Sequence, residues 1–457
     1  MEKNELLYKK KNVYEACDKA VIDAAYEYAK GYVKFIDRAK TEREAVEETI
    51  SYISKHGFTE YKFGMPLKVG DKLFYNNRGK NIFIFTIGKE SINNGIRISA
   101  AHIDSPRVDL KQCPVYEDGG MGFFKTHYYG GIRKYQWVTV PLALHGVIIK
   151  ADGTSVKVAI GENDDDPIFY INDLLPHLGH ATDAKPLGEA IPGENLNILI
   201  GSRPLSGEGS DAIKLNILTI LNEKYGITEE DFLSAELCAV PAMKARDIGF
   251  DRSLIGAYGH DDRVCAYPAV SAIVDNANSE HTLMCILADK EETGSEGNTG
   301  MKSSLMADLI DQISVALGGN TALVRANSKC LSADVSAAYD PNFAASFEKR
   351  NSSLINCGVV LTKYTGSRGK SSTNDASAEY IGWLRQIMAK DGVIWQAGEL
   401  GKVDGGGGGT VAKFIANYNI EVVDLGVPVI SMHAPCEVIS KVDLYEAYLA
   451  FSAFCKY

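Results

Sequence analysis

Five stretches of this sequence run apolar, or follow an apolar run, and then stop on a metal-ligand residue type. They are Ala101-His102-Ile103-Asp104-Ser105-Pro106, His260-Asp261-Asp262-Arg263, Asp289-Lys290-Glu291-Glu292-Thr293-Gly294, Ser332-Ala333-Asp334 and Ser431-Met432-His433-Ala434-Pro435. Short apolar runs bounded by turns read as strands buried on both faces. Together the stretches supply two histidines, two aspartates and a glutamate, with a further glutamate beside the last. A chain built this way must bring several strand ends to one place.

The segments between them decide the fold class. After Met243, strand-like and helix-like stretches alternate. Residues 263–274 read as helix, 282–288 as strand and 303–317 as helix. Residues 358–362, 375–389, 392–397, 410–417 and 420–429 continue the series before a closing helix. This alternation predicts an α/β fold with a mostly parallel sheet covered by helices. Ligands on such sheets sit at the carboxyl ends of strands, where the five stretches fall. The chain opens with helices. Thr41 and Glu44 suit a capping box, Val46, Ile50 and Ile53 share a face, and Gly57 suits the stop. Strands at 81–87 and 96–101 then lead into His102. Residues 107–244 differ in character. Residues 137–149 and 155–160 read as strands, broken by turns such as Asp152-Gly153. Residues 188–209 read as polar loop, and 211–223 as a helix with Leu215, Leu218 and Leu221 repeating. The prediction is a main body from 1–106 and 245–457, with 107–244 as a β-rich insert.

At 457 residues the chain can build two or three cores. Its net charge of −11 argues against nucleic acid or an anionic membrane as a partner. The opening, from Met1-Glu2-Lys3-Asn4, lacks the apolar core of a secretory signal, and no run approaches the roughly eighteen apolar residues of a membrane span. The nine cysteines are scattered, with no pair at C-x-x-C spacing. Cys238, Cys265 and Cys285 lie in apolar stretches and read as reduced core residues. These features predict a cytoplasmic protein whose metal is held by histidine and carboxylates rather than thiolates.

A two-metal hydrolytic site needs roughly three protein ligands per ion, one shared, with the ions about 3.5–4 Å apart. A carboxylate outside the ligand set must then move the proton of the attacking water. His102 with Asp104 fits a ligand imidazole and its orienting carboxylate. The pair reads equally well as a buried histidine before an ordinary Asp turn. Glu291 and Glu292 would face opposite ways in an extended strand, but at a strand end both can reach one site in different roles. Alone they also read as a solvated acidic turn. Asp261-Asp262 suits a helix N-terminus as readily as a ligand pair. His177 and His180, three apart, fit a surface feature better than a metal site. Gly369-Lys370-Ser371 mimics the end of a P-loop, but Tyr364 stands where the first glycine belongs. The five glycines at 405–409 suit either a mobile loop or a close backbone approach to substrate.

Taken in order, these residues resemble metallopeptidase family 18, the aspartyl aminopeptidases and vacuolar aminopeptidase I. The family's H-T-D-S-P resembles His102-Ile103-Asp104-Ser105-Pro106, and its L-D-N/D resembles His260-Asp261-Asp262. Its N-E-E-V-G-S is similar to Lys290-Glu291-Glu292-Thr293-Gly294-Ser295. Its S-A-D-M resembles Ser332-Ala333-Asp334-Val335, its P-N-Y Pro341-Asn342-Phe343, and its M-H-S Met432-His433-Ala434. The motif order spans nearly the whole chain. The resemblance implies a zinc-exopeptidase-like catalytic domain carrying an inserted β-rich dimerisation domain. It implies two Zn²⁺ per subunit, with Co²⁺ or Mn²⁺ as substitutes. One ion would take His102, Asp261 and Asp334, the other Asp261, Glu292 and His433. Asp261 would bridge, Glu291 would be the general base to a metal-bridging hydroxide, and Asp104 would orient His102. The activity implied is removal of N-terminal residues, acidic ones among them, from peptides. Dimers would assemble into a tetrahedral dodecamer. His177, in Leu174-Leu175-Pro176-His177-Leu178, is similar to a family histidine that reaches a neighbouring subunit's site, and Lys363 to a lysine near the substrate.

The chain also departs from the family. Eukaryotic members carry two histidines after the S-A-D motif, where this chain has Ala337 and Asp340. Asp262-Arg263-Val264 and His433-Ala434-Pro435-Cys436-Glu437 look more like family 42, the tetrahedral glutamyl-type aminopeptidases. The metal ligands fit both families, whereas the preferred N-terminal residue stays open. Two rival readings remain. One is another metal-dependent amidohydrolase or endo-acting hydrolase on the same domain, and the other a non-catalytic, metal-stabilised shell protein. Glu291 counts against a shell, which needs only ligands.

Overall fold

Every residue of the run Thr282–Ala288 is buried, and it pairs on both edges within a nine-stranded sheet. The computed structural model describes residues 6–457, so Met1-Glu2-Lys3-Asn4 lie outside the described residues. In chain order the strands of this sheet are β1 (Thr59–Glu60), β2 (Lys72–Asn77), β3 (Asn81–Thr86), β4 (Ile96–His102), β5 (Thr282–Ala288), β6 (Lys329–Ser332), β7 (Val359–Thr362), β8 (Trp395–Ala397) and β9 (Glu421–Gly426). They lie side by side as β1-β2-β3-β5-β4-β6-β9-β7-β8. The four central strands β5, β4, β6 and β9 are mutually parallel. Antiparallel pairings flank them, β3 against β5 on one side and β7 against β9 on the other.

Alternate side chains of β5 enter two different cores. Leu283, Cys285 and Leu287 join one cluster, and Met284, Ile286 and Ala288 the other. That split is the period of two expected of a strand covered on both faces. The first core receives residues of α1 (Lys19–Arg38), α2 (Glu42–Ser54), α3 (His260–Asp275), α5 (Ala378–Lys390) and α6 (Lys441–Lys456). The second receives α4 (Leu305–Ala316). The capping box at the start of α2 is present. Glu44 N–H donates to Thr41 Oγ1 at 3.2 Å, and Thr41 N–H donates to Glu44 Oε2 at 3.1 Å.

Chain compactness separates two units. The first runs to Asp104 and includes Ala245–Met432 and Glu437–Tyr457, and the second comprises Ser105–Lys244 and His433–Cys436. Within the second, seven strands pair antiparallel throughout, in the order Ser155–Ile160, Leu142–Ile149, Ala235–Pro241, Arg107–Asp118, Met121–Tyr129, Ile198–Gly201, Tyr170–Ile171. Its helix Ala212–Tyr225 is held at its first turn by Glu117, whose Oε2 accepts from the amides of Ile213 and Lys214. The strand predicted over 137–149 is shorter than its composition suggests. Lys134–Gln136 form a 3-10 turn closed by Trp137, Thr139 takes a left-handed φ of 60°, and the strand begins only at Leu142, after Pro141. A run of β-formers is overridden there by local turn closure.

The five-glycine run has a backbone reason. Gly407 and Gly408 pair with Ser367 and Gly366, and a Cβ on Gly407, whose φ is 139°, would meet the Gly366 carbonyl at 2.2 Å.

Candidate metal centre

Parallel strands in register place their carboxyl ends on one edge. Ala288 of β5 pairs with His102 of β4, while Ser332 of β6 pairs with Ala100 of β4 and with Asp424 of β9. The segments that follow are Ile103-Asp104, Asp289-Lys290-Glu291-Glu292 and Ala333-Asp334, so all leave the same edge. Asp261 and Asp262 come to it from the first turn of α3, where neither has helical backbone angles and the peptide between them is cis.

His102 is buried at the centre of the group. Its Nδ1 lies 3.0 Å from the main-chain carbonyl of Asp104 and 3.4 Å from that residue's Oδ1. Its Nε2 lies 3.1 Å from Asp261 Oδ1 and 3.9 Å from Asp334 Oδ1. The His102 amide donates to Asp262 Oδ2 at 3.3 Å. The carboxylate of Asp104 accepts from the amides of Glu291, at 3.1 Å, and Glu292, at 3.2 Å. Asp104 therefore meets the ring through its carbonyl and carries the glutamate turn through its carboxylate. Nothing in the sequence signals that second contact, since it depends on where β5 ends relative to β4.

Three overlapping sets bring their ligand atoms within 4.8 Å of one another. They are His102, Glu291 and Asp334; His102, Asp261 and Glu292; and Asp261, Asp262 and Asp334. The donors are one imidazole and five carboxylates, without a thiolate. Nitrogen and oxygen donors of this kind suit zinc, manganese or cobalt, so the residues fit a divalent ion. Their electrostatics point the same way. Burial, reinforced by the charges of Glu291, Asp262 and Asp261, pushes the Asp334 carboxyl well above its usual range, with His102 opposing. Burial does the same to Asp262. Burial alone would lower His102, but its contacts with Asp104 and Asp261 and the charge of Asp334 outweigh that and raise it. A buried cluster this rich in carboxylates is relieved by a cation.

Further anchors surround the group. The Asp261 amide donates to the buried Glu437 carboxylate at 3.0 Å. Its signals in the sequence are a charged residue opening the short strand Glu437–Ser440 and its place at the end of the segment that resembles family 42. His260 is buried, with Nε2 at 3.1 Å from the Ile255 carbonyl and Nδ1 at 2.7 Å from the Tyr32 hydroxyl. Burial pushes it down to about 3, so it stays neutral.

The remaining predicted residues are not members of these three sets. His433 belongs with the second unit, has a left-handed φ of 65°, and sets Nδ1 2.7 Å from the Gly131 carbonyl. His177, also in the second unit, is exposed on the 3-10 turn Pro176–Leu178, beside exposed Leu174, Leu175 and Leu178. Lys363 follows β7 in the first unit and pairs with Asp375, which also takes Lys370 at 2.8 Å.

Residues 35–455 match the family model described as aminopeptidase I zinc metalloprotease (M18). The chain is 50% identical over 460 residues to a probable M18 family aminopeptidase 1 of Clostridium acetobutylicum, covering 99% of each. The crystal structure of an aminopeptidase of this family from Thermotoga maritima matches with a TM-score of 0.94 and 43% identity. The match covers 98% of this chain and 100% of that one. A structure described as the S. cerevisiae mApe1 dodecamer shares the fold, with a TM-score of 0.76 and 20% identity over 94% of this chain and 96% of that one.

Proposed function

The chain belongs to the aminopeptidase I zinc metalloprotease (M18) family, and we propose that its metal centre is dinuclear, with Glu291 as the proton-transferring base. The observation that carries this reading is Asp261. His102, Asp261 and Asp334 each fall in two of the three sets, and of these Asp261 is the carboxylate that occurs with both Glu292 and Asp334, as a shared ligand would. His102, Asp261 and Asp334 would hold one zinc ion, and Asp261, Glu292 and His433 the other. When bound, the ions supply Lewis acidity and lower the pKa of a water.

The chain's own groups do the rest. Both glutamates come within ligand distance of His102, so their division of labour is a chemical assignment. Glu291 takes the proton from the water that attacks the peptide carbonyl carbon, and returns it to the leaving amine nitrogen as the C–N bond breaks. Asp104 holds the amides of both glutamates and the His102 ring in place. Lys363 would stand near the substrate. The departures at Ala337 and Asp340 favour a preference broader than strictly acidic N-terminal residues.

We place the enzyme in the cytoplasm. All nine cysteines are free thiols, and no helix among the described residues is long and apolar enough to cross a membrane. Dimers assembling into a tetrahedral dodecamer would put His177 at a neighbour's site, and mass in solution tests this. A stable monomer removes that role. For the activity, a panel of acidic, basic and apolar aminoacyl-anilides on metal-reconstituted protein is the test. Turnover of at least one class is expected. Silence across the panel with metal bound would turn the assignment toward another amidohydrolase.

A further inference from the structure

The turn bearing Glu291 is held at its amides by Asp104, but the chain must also leave it. Lys290 takes a left-handed φ of 65°, the turn Glu291–Thr293 follows, and Gly294 leaves it with φ 94°. The loop then folds tightly on itself. Ser295 N–H donates to the Lys290 carbonyl at 2.6 Å and Lys302 N–H to the Ser295 carbonyl at 3.1 Å. A Cβ on Gly300 would meet that same Ser295 oxygen at 2.3 Å.

Three buried polar side chains fasten the far side of this loop. Asn77 and Asn81 face each other across the turn between β2 and β3, and both are 1% exposed. Asn77 Nδ2 donates to the Asn298 carbonyl at 2.9 Å, and Asn81 Nδ2 to the Thr299 carbonyl at 2.8 Å. Thr299 is itself buried, and its hydroxyl donates at 2.5 Å to Oδ2 of Asp289, the first residue after β5. Residues 289 and 299 are thus tied together, and the covalent path between them runs through Glu291 and Glu292.

We propose that Thr299 and Asp289 form a clamp that positions the Glu291 carboxylate. They act through the backbone of the turn and do not touch the substrate. This inference rests on the reading of Glu291 as the base. Its physical ground is that burying a carboxylate, a hydroxyl and two amides is costly unless each is hydrogen-bonded. Here these bonds fix the two ends of a loop that carries the reacting group two residues from its first end. Rotating or sliding that turn leaves His102, Asp261 and Asp334 unmoved and displaces Glu291 together with its neighbour Glu292.

Thr299→Val keeps the shape of the side chain and removes the donor to Asp289, whereas Thr299→Ser keeps the hydroxyl. A misplacement of about 1 Å at a reacting group costs on the order of a hundredfold in rate, so Thr299→Val is expected to lower kcat about ten- to hundredfold with KM within about twofold. Losing one donor to the buried Asp289 should lower the melting temperature only slightly, and kcat is read on folded protein saturated with zinc, because Glu292 shares the turn. Amide hydrogen exchange over residues 290–295 should quicken, and Thr299→Ser should restore both kcat and protection. If Thr299→Val gives no soluble protein, Thr299→Ala is read in the same way. A parental kcat with parental exchange overturns the clamp. So does a Thr299→Ser enzyme as impaired as Thr299→Val, or a loss of kcat that disappears when the protein is saturated with zinc. Failure of the base reading is distinguishable. Near-normal turnover by Glu291→Gln would remove that role, while exchange in resting Thr299→Val protein still decides whether the clamp holds the turn.

Discussion

Two of the places where the first unit buries acidic side chains accommodate them by different means. On α6, Asp443 accepts from the amides of Asn356 and Gly358, each at 2.7 Å, and Glu446 from the amide of Ile394 at 2.8 Å. On the carboxyl edge of the sheet, Asp261, Asp262 and Asp334 instead bring ligand oxygens within 4.8 Å of one another around His102. Burial raises Asp443 and Asp334 alike. A raised carboxyl is therefore no mark of a functional site here. What differs is the partner: backbone amides close the α6 acids off, and carboxylates facing carboxylates call for a cation. Asp104 lies on the edge but is bonded as the α6 acids are, through two amides. That suits it to support rather than to ligation.

This contrast predicts that substitutions on the edge strike chemistry and metal, and substitutions on α6 strike the fold. The largest effect belongs to Glu291→Gln. Losing general-base catalysis typically costs about 10²–10⁴-fold, so turnover should fall to near the floor of the assay while zinc per chain and melting temperature hold. Near-normal turnover would break the assignment. Next is Asp261→Asn, which weakens a ligand common to two sets. Zinc retained after dialysis should drop, with activity following it and the far-ultraviolet circular dichroism unchanged. Full retention of zinc would show that the edge acids do not behave as a shared-ligand cluster.

Asp443→Asn tests the other side. An asparagine turns an amide donor toward one of the two N–H groups that the carboxylate accepts. A buried group left without its partner costs about 1–3 kcal/mol, to be read as a shifted denaturation midpoint. Zinc content and kcat per folded molecule should be unchanged. If Asp443→Asn instead released zinc, the two acidic regions would not be separable in the way their hydrogen bonds suggest.

The same distinction sets how much of the molecule could be read from its sequence. Strand β5 was legible because seven consecutive buried residues leave little room for another element. His102, Asp261, Glu291, Glu292 and Asp334 were legible as a group because each follows an apolar run; parallel pairing brings the ends of β4, β5 and β6 together, and Asp261 joins them from the first turn of α3. The stretch from Trp137 misled because Trp-Val-Thr-Val carries high strand propensity, while the 3-10 turn before it and Thr139 decide otherwise. The double duty of Asp104, the Glu437 contact to Asp261 and the Thr299–Asp289 bond join residues far apart along the chain or across a loop. No periodicity or motif encodes such contacts. They follow from the register of β4 against β5, from the pairing of Ala257 with Glu437 and from the loop geometry after β5.

The smallest effect concerns pH and sharpens the comparison from the α6 side. Burial pushes the Glu446 carboxyl up to about 7, with the Ile394 amide opposing, against about 4.3 for an unfolded glutamate. Between these values the folded chain keeps a proton that the unfolded chain has lost. Stability from this group is therefore fully present below the unfolded value and is lost as pH rises through about 7. Glu446→Gln keeps a carbonyl for the Ile394 amide and cannot titrate. Subtracting the variant's denaturation midpoints from the parent's, both zinc-loaded, cancels the shared contribution of the edge carboxylates. The difference should favour the parent at low pH and shrink as pH rises toward 7. A flat difference would mean that Glu446 is solvated in the folded protein, and that amide bonding on α6 holds a charged carboxylate rather than a neutral acid.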